Sequence, residues 1–310
     1  MRKILGLLLI TIVVGAILWF NGVVWAPETE LGQGMFMEEG LCFAEPFIPA
    51  VFPKEGGRVT RGETEDGLIW YSAEAVGDYN FVGWVATDGR LLSLEETLDG
   101  LSEDIDVVAC FASSEPVDGE DLFALVSKHT TLGQYAPSDV VDIPASMTGG
   151  RSRRIREAIL DELVAMIEAA AEDGVTLTVV SAYRSYDSQA RIFSRYVRDY
   201  GEEAANRFSA RPGQSEHQLG TTLDFGDTPH DWSARFADTP AGKWLRENAH
   251  YFGFAMSYPR DSEEITGYIF EPWHYRYIGM EAALEWHESG LTLFEYLWFR
   301  QLRDAGLTGE

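Results

Sequence analysis

The hydrophobic period of the chain changes between residues 155 and 180, and this change constrains the fold more than any other feature. Over residues 155–170, apolar side chains recur at three- and four-residue steps, which is typical of a helix with one buried face. Gly174 ends that pattern. Residues 175–180 alternate and are rich in β-branched side chains, which predicts a strand. A helix is therefore followed directly by a strand.

Further segments extend this mixed pattern. Apolar positions on one face predict a helix over residues 187–200, and Pro240 suits the first turn of another helix that runs to His250. Residues 268–270 read as a short strand. Helices interspersed with short strands indicate an α+β fold, with a mainly antiparallel sheet flanked by helices.

The N-terminus carries an export signal. Arg2 and Lys3 precede an apolar run that continues weakly to Trp25, and about 20 such residues suffice to span a bilayer. Because Pro27 follows a poor cleavage site, we expect residues 1–25 to remain as a transmembrane signal anchor, with the rest of the chain outside the cytoplasm. Secretion after cleavage is the alternative. Residues 26–50 predict a linker.

The pattern of residues 51–130 predicts a small β-rich region of unknown role, because short apolar runs alternate with turns that contain Gly and Asp. Its aromatic side chains are typical of a packed core rather than of a ligand platform. Cys42 and Cys110 are the two cysteines of the chain. In an oxidising compartment they form either one disulfide or two isolated thiols, and the sequence leaves both open.

The chain is strongly acidic, with 50 Asp and Glu against 24 Lys and Arg and a formal charge of -26. This balance argues against nucleic acid or an anionic lipid surface as a partner. Nothing in the sequence determines the oligomeric state.

Four side chains in two compact segments suggest a metal site: His217 and Asp224 in the first, Glu271 and His274 in the second. Catalytic zinc takes three protein ligands and keeps one position open, so His217, Asp224 and His274 are the expected ligands. Gly220 allows the sharp turn that would bring the first two together.

Glu271 is the expected general base. The Pro-Trp step before His274 disfavours a helix, so Glu271 and His274 should lie on an extended or turned segment. Glu271 can then remove a proton from water that zinc has acidified and pass it to the leaving amine. His230, between two aspartates, is the best spare ligand candidate.

These segments resemble the zinc D-Ala-D-Ala carboxypeptidases of the VanY type, within the wider group of D,D-peptidases and Hedgehog-like folds. The first motif of that group is matched by Ser215, His217, Gly220 and Asp224, and only Thr222 departs, where alanine is usual. We expect this change to alter packing rather than metal binding. With the second motif at Glu271 to His274, the likeness covers roughly residues 135–279.

The resemblance implies that residues 131–310 form the catalytic domain and that zinc is the cofactor. A Tyr-Arg-Ser segment with a downstream Gln places Arg184 as a catalytic charge stabiliser or a clamp for the substrate's carboxylate. A structural ion pair is the alternative for Arg184. Ser215 and Gln189 either hydrogen-bond the substrate peptide or are, respectively, a turn cap and a solvated helix residue.

The expected activity is removal of the C-terminal D-Ala from peptidoglycan stem peptides. An L,D-carboxypeptidase or a D,D-dipeptidase would need the same metal and base, and only the pocket would differ. A non-catalytic cell-wall-binding protein is the alternative of another class, and the presence of Glu271 argues against it because a binding module needs no proton shuttle. A main role for the N-terminal β-rich region finds no specific support.

Overall fold

The computed structural model describes residues 49–226 and 232–308, together with four short strands nearer the N-terminus. These strands pair antiparallel, β1 (Leu18–Phe20) with β2 (Val23–Trp25) and β3 (Met35–Glu38) with β4 (Leu41–Ala44). None of the helices in the described part of the chain is both long and apolar enough to cross a membrane. Most of the predicted anchor and linker, and the side chain of Cys42, lie outside the described residues.

Seven strands follow in the region predicted to be β-rich: β5 (Ala50–Phe52), β6 (Gly57–Glu63), β7 (Ile69–Ala75), β8 (Tyr79–Ala86), β9 (Leu91–Ser93), β10 (Thr97–Leu101) and β11 (Val107–Ser113). They form a three-stranded sheet of order β10-β7-β6 and a four-stranded sheet of order β5-β11-β8-β9. Tyr71 and Trp84 are fully buried between neighbouring side chains, so the prediction of an aromatic core is confirmed. Cys110, also fully buried, is a free thiol among the described residues.

The C-terminal half has its own central sheet. After the antiparallel pair β12 (Val140–Asp142) and β13 (Arg154–Arg156) come β14 (Val179–Ser181), β15 (Thr222–Phe225), β16 (Phe254–Met256) and β17 (His274–Tyr277). The last four form a sheet of order β14-β15-β17-β16 in which every pairing is antiparallel. The predicted α+β fold with a mainly antiparallel sheet is confirmed.

Seven α-helices accompany the sheets in the described part of the chain: α1 (Leu160–Glu172), α2 (Tyr186–Tyr200), α3 (Glu202–Asn206), α4 (Pro240–Asn248), α5 (Glu263–Thr266), α6 (Met280–Ser289) and α7 (Leu293–Asp304). Helix α1 begins later than its sequence pattern suggests, because β13 and a 3₁₀ turn take up residues 154–159. The predicted strand at residues 268–270 is wrong. The Tyr268 amide donates to Thr266 Oγ1, a local bond that competes with strand pairing.

Alternation along β15 and β17 separates a core face from a polar face. Leu223 and Tyr275 point into the core, where they meet side chains of α1 such as Leu163 and Met166. A second core joins β8 and β11 to α6 and α7, so the β-rich region and the C-terminal helices share buried apolar side chains. The opposite face of β15 and β17 carries the polar residues of the candidate site.

Candidate metal centre

The central strands bring two of the expected ligands together. Asp224 of β15 and His274 of β17 are directly opposite in the antiparallel register, and Thr222 and Arg276 form the next pair on the same face. Opposed residues on one face have Cβ atoms about 5 Å apart. The pairing therefore explains why side chains 50 positions apart in sequence reach a common point.

His217 reaches the same point from a tight turn. It lies in a 3₁₀ turn, Glu216–Leu219, which ends at Gly220 with φ of +76° before the chain enters β15. A Cβ at Gly220 would lie 2.9 Å from Arg156 Cγ, so both the backbone angle and the space require glycine. The sharp turn predicted at Gly220 is confirmed.

The ligand atoms converge at distances that suit one small cation. His217 Nε2 lies 3.1 Å from Asp224 Oδ2, and His274 Nδ1 lies 3.2 Å from Asp224 Oδ1. One candidate ligand atom from each of His217, Asp224 and His274 lies within 4.8 Å of the other two, and all three residues are buried. In tetrahedral zinc sites with bonds of 2.0–2.1 Å, neighbouring ligand atoms are roughly 3.3 Å apart.

Two buried atoms of this group also lack a hydrogen-bond partner among the described residues, His217 Nε2 and Asp224 Oδ1. Leaving such atoms unsatisfied in a dry interior is costly, and coordination of a cation removes that cost. Two imidazoles and one carboxylate form a common ligand set for catalytic zinc. The residues therefore fit zinc.

Each histidine is oriented through its other nitrogen. His217 Nδ1 lies 2.8 Å from the carbonyl oxygen of Ala182, and because a carbonyl only accepts, Nδ1 carries the proton and Nε2 is free to bind metal. His274 Nε2 lies 2.8 Å from Glu216 Oε2, which leaves Nδ1 free in the same way. Second contacts of this kind fix the rotation and tautomer of metal-binding histidines.

Glu216 is the centre of a buried polar network that the sequence did not indicate. Besides its contact with His274, Glu216 accepts a hydrogen bond from Ser257 Oγ at 2.6 Å. It also forms an ion pair with Arg276, whose Nη1 lies 3.1 Å from Glu216 Oε1. Arg276 is fully buried and also donates to the carbonyl oxygens of Leu122 and Ala124, at 2.9 and 2.7 Å. Arg276 follows His274 by two residues and so lies on the same face of the strand, which was the sequence signal that could have placed it near the site.

The electrostatics of the ligands follow from burial and neighbouring charges. Burial, with the charge of Arg184, lowers the pKa of His217 to about 4, so this imidazole is neutral and ready to coordinate. For His274 burial acts in the same direction, but close contact with the carboxylates of Asp224 and Glu216 outweighs it and raises the pKa to about 10. In the metal-free site His274 is therefore protonated, with one carboxylate on each side of its ring.

Glu271 lies beside the ligands without joining them. Its Oε2 is 3.4 Å from His274 Nδ1, the nitrogen that is free to bind a metal, and the residue is 8% exposed. The backbone turns between the two residues, since the His274 amide donates to the Glu271 carbonyl at 3.0 Å. Burial raises the pKa of Glu271 to about 8, and the charge of Asp224 adds to this. A carboxyl group with this pKa can both take and return a proton near neutral pH.

Arg184 follows β14 and points toward the same cluster. Its Nη2 lies 3.4 Å from Asp224 Oδ2, a long contact, while Nη1 donates to Gln189 Oε1 at 2.9 Å. Gln189 is 1% exposed and donates in turn to the carbonyl of Ala210 at 2.7 Å, so it is not a solvated helix residue. The Arg184 side chain keeps 23% exposure, which leaves part of the guanidinium available.

The remaining candidates fall into place around this centre. Ser215 is buried at the N-cap position of the 3₁₀ turn, where its carbonyl accepts from the Gln218 amide at 3.0 Å but its side chain makes no capping hydrogen bond. Trp273 is 6% exposed and packs in the core beneath the sheet. His250 and His287 stack on each other with ring centroids 3.7 Å apart, away from the cluster. His230 lies outside the described residues.

The chain is similar to known carboxypeptidases. Residues 152–280 match the family described as VanY: D-alanyl-D-alanine carboxypeptidase. The chain is 42% identical over 183 residues to the putative carboxypeptidase YodJ of Bacillus subtilis, covering 57% of this chain and 67% of that protein. It is 40% identical over 154 residues to a D-alanyl-D-alanine carboxypeptidase of Enterococcus faecalis, covering 46% of this chain and 56% of the relative.

A solved structure also shares the fold. The LD-carboxypeptidase LdcB is 40% identical, with a TM-score of 0.54, over 58% of this chain and 87% of that chain. The matched length shows that the likeness covers little more than half of the present chain. Much of the remainder lies before residue 152, where the strands of the β-rich region stand.

Proposed function

This chain belongs to the VanY family of D-alanyl-D-alanine carboxypeptidases, which makes it a zinc metallopeptidase, and we propose that it removes the C-terminal D-alanine from peptidoglycan stem peptides. The observation that carries this proposal is the convergence of His217, Asp224 and His274, with the carboxyl group of Glu271 beside them. The catalytic unit comprises residues 131–310, and the β-rich region of residues 51–130 precedes it.

The proposed mechanism assigns one task to each side chain. Zinc, when bound, supplies Lewis-acid polarisation of the scissile carbonyl and lowers the pKa of water. Glu271, whose Oε2 lies next to the ligating nitrogen of His274, accepts the proton of the attacking water and then delivers it to the leaving amine. In the metal-free site burial raises the pKa of Glu271, and a carboxylate with a raised pKa is a stronger base for the first step.

Arg184 supplies the positive charge of the site. Its partly exposed guanidinium can donate two parallel hydrogen bonds to the substrate's terminal carboxylate or stabilise the oxyanion that forms during hydrolysis. Gln189 holds the guanidinium through its own bond to Ala210, which supports a positioning role. Ser215 precedes the ligand turn, and we propose that it contacts the peptide beside the scissile bond.

The decisive experiment compares wild-type protein with Glu271→Gln on a defined muropeptide that ends in D-Ala-D-Ala. The variant keeps the shape of the side chain but cannot take a proton, so we expect zinc to be retained at about one ion per chain and kcat to fall by at least 100-fold. Chelation should remove the wild-type activity, and added zinc should restore it. Wild-type turnover by the variant would refute Glu271 as the base.

The likeness to LdcB supports a second candidate, trimming of tetrapeptides by an LD-carboxypeptidase activity. The same metal and base would serve both reactions, and a D,D-dipeptidase would differ by releasing two residues at once. Pentapeptide, tetrapeptide and free D-Ala-D-Ala, offered separately, distinguish the three activities by product mass. We expect loss of a single alanine from the pentapeptide.

We also propose that the chain acts outside the cytoplasm, tethered to the membrane by its N-terminal apolar run, with secretion after cleavage as the alternative. Arg2, Lys3 and the uncharged run that follows support the proposal. Fractionation of cells that express the full chain tests it, because an anchored protein stays with washed membranes and a cleaved one appears in the medium. Recovery in the cytoplasm would contradict both.

A further inference from the structure

A polar cleft of about 550 Å³ lies outside the metal centre, between the β-rich region and the chain that leads into the catalytic unit. One wall comes from strand β8, with Asn80 and Phe81, and from the end of β11, with Ser114 directly after the strand. The other wall includes His129, Thr131 and Gln214. A volume of this size is in the range of small-ligand sites. The first wall lies before the residues that match the family, so the family likeness does not account for the cleft.

The lining is suited to an uncharged ligand with many hydroxyl groups. Asn80, Ser114 and His129 are exposed, and their side chains make no hydrogen bond to other described residues. Phe81 contributes a half-buried aromatic surface. Free amide and hydroxyl groups beside an aromatic ring are the contacts that sugars use.

Two charged residues also line the cleft, and neither indicates a charged ligand. The ammonium group of Lys128 is committed elsewhere, since it donates to the Asn206 carbonyl and lies 3.8 Å from the centroid of the Tyr268 ring. Glu96 is exposed at the rim and can accept from hydroxyl groups, but it disfavours an anion. On a chain with a charge of -26, a mainly neutral cleft stands out.

Contacts connect the cleft to the metal centre. Gln214, one residue before Ser215, donates to the Lys128 carbonyl at 2.9 Å. From Lys128 the contact continues through Tyr268 to Tyr258, with ring centroids 4.7 Å apart, and from Tyr258 to His274 at 4.8 Å. The cleft is therefore connected by side-chain contacts to the part of the fold that holds the candidate metal ligands.

This proximity matches the geometry of the proposed substrate. A stem peptide is joined to its sugar at the end opposite to the D-alanine that is removed. Five extended residues span at most about 17 Å, so a sugar attached to a peptide in the site must lie within that radius.

We propose that this cleft binds the glycan to which the stem peptide is attached, so that the β-rich region is part of the substrate-binding surface. The inference rests on the proposed function and extends it from the peptide to the sugar. It also gives the β-rich region a role that is independent of the metal.

The experiment measures kcat/KM for two substrates that differ only in the sugar: a free pentapeptide and the same pentapeptide linked to its disaccharide. The zinc-loaded full chain is compared with the double variant Asn80→Ala, Ser114→Ala, whose positions are exposed and outside the metal centre. Ser102→Ala, an exposed serine of the same region outside the cleft, is the control.

We expect the wild type to prefer the disaccharide-linked substrate by about five- to tenfold, and the double variant to lose that preference, as expected for two lost hydrogen bonds. The double variant should hydrolyse the free pentapeptide at the wild-type rate. N-acetylchitotetraose should compete with the linked substrate and leave hydrolysis of the free peptide unchanged.

Equal wild-type rates on both substrates would overturn the proposal and leave the proposed function intact. A double variant that slows both substrates equally would also overturn it, because the residues would then act on the peptide or on the fold. If wild-type protein hydrolyses neither substrate, the proposed function fails instead. Titration of the protein with N-acetylchitotetraose then decides about the cleft, with saturable binding that the double variant lacks as the supporting result and no binding as the contrary one.

Discussion

Replacement of Arg276 by methionine tests the buried network behind the metal ligands. Methionine fills much of the arginine volume but removes the ion pair with Glu216 and the donors to Leu122 and Ala124. Glu216 would keep only its bonds from His274 and Ser257, and its Oε1 would be left buried without a partner. The perturbation therefore strands one carboxylate oxygen and two carbonyl groups in the interior.

The expected cost follows from that geometry. Removal of one partner from a buried ion pair typically costs about 3–5 kcal/mol, because the other charge remains desolvated. At roughly 2 °C per kcal/mol for a chain of this size, the melting temperature should fall by about 6–10 °C. Arg246→Met is the matched control. Arg246 pairs with Glu247 at 3.2 Å, close to the 3.1 Å of the buried pair, but the two side chains are 54% and 66% exposed.

Thermal unfolding followed by circular dichroism measures both variants, with zinc and with a chelator. The control should lose less than about 1 kcal/mol, as exposed pairs do. Zinc affinity, measured by competition with a chromophoric chelator, should fall about 10- to 100-fold in Arg276→Met, since Glu216 no longer holds His274 firmly. Equal stability losses in the two variants, or unchanged zinc affinity in Arg276→Met, would refute the role assigned to the network.

Three further changes have defined outcomes. Gly220→Ala should lose zinc affinity and more stability than Gly174→Ala, because both glycines have φ of +76° but only the first is crowded; equal unfolding midpoints would contradict this. Gln189→Leu should raise KM more than it lowers kcat, because Arg184 loses its support, and steady-state kinetics checks this. Thr292→Ala should cost about 1 kcal/mol by removing the capping box of α7, measured by urea unfolding.

The candidate site could be proposed from the sequence because its residue types are held in two short segments, which the structure brings together. His217, Asp224 and His274 were candidates because of their ligand chemistry, Glu271 was a candidate base, and Gly220 indicated how the chain could turn between the first two. The helices of residues 187–200 and 240–248 were also predictable, since one apolar face and local capping residues define them. Local information was sufficient for each of these features.

Strand register was not accessible in this way. Asp224 opposes His274 only because β15 and β17 pair in one alignment, and a shift by one residue would turn one of the two to the opposite face. The short strand predicted at residues 268–270 failed for a related reason. Its apolar pattern suits a strand, but the Thr266 hydroxyl and the Arg207 carbonyl take the amides that a neighbouring strand would need.

The network around Glu216 was still less accessible from the sequence, because two of its five hydrogen bonds go to backbone atoms. Carbonyl oxygens of Leu122 and Ala124 accept from Arg276 across more than 150 positions, and no side-chain pattern signals such a contact. Both residues lie before the segment that matches the family, in the chain that follows β11. The candidate ligand His274 is therefore supported, through Glu216 and Arg276, by residues outside that segment. One short stretch of chain therefore contacts both sites: Ala124 accepts from Arg276 behind the metal centre, and Lys128, four residues later, lines the polar cleft.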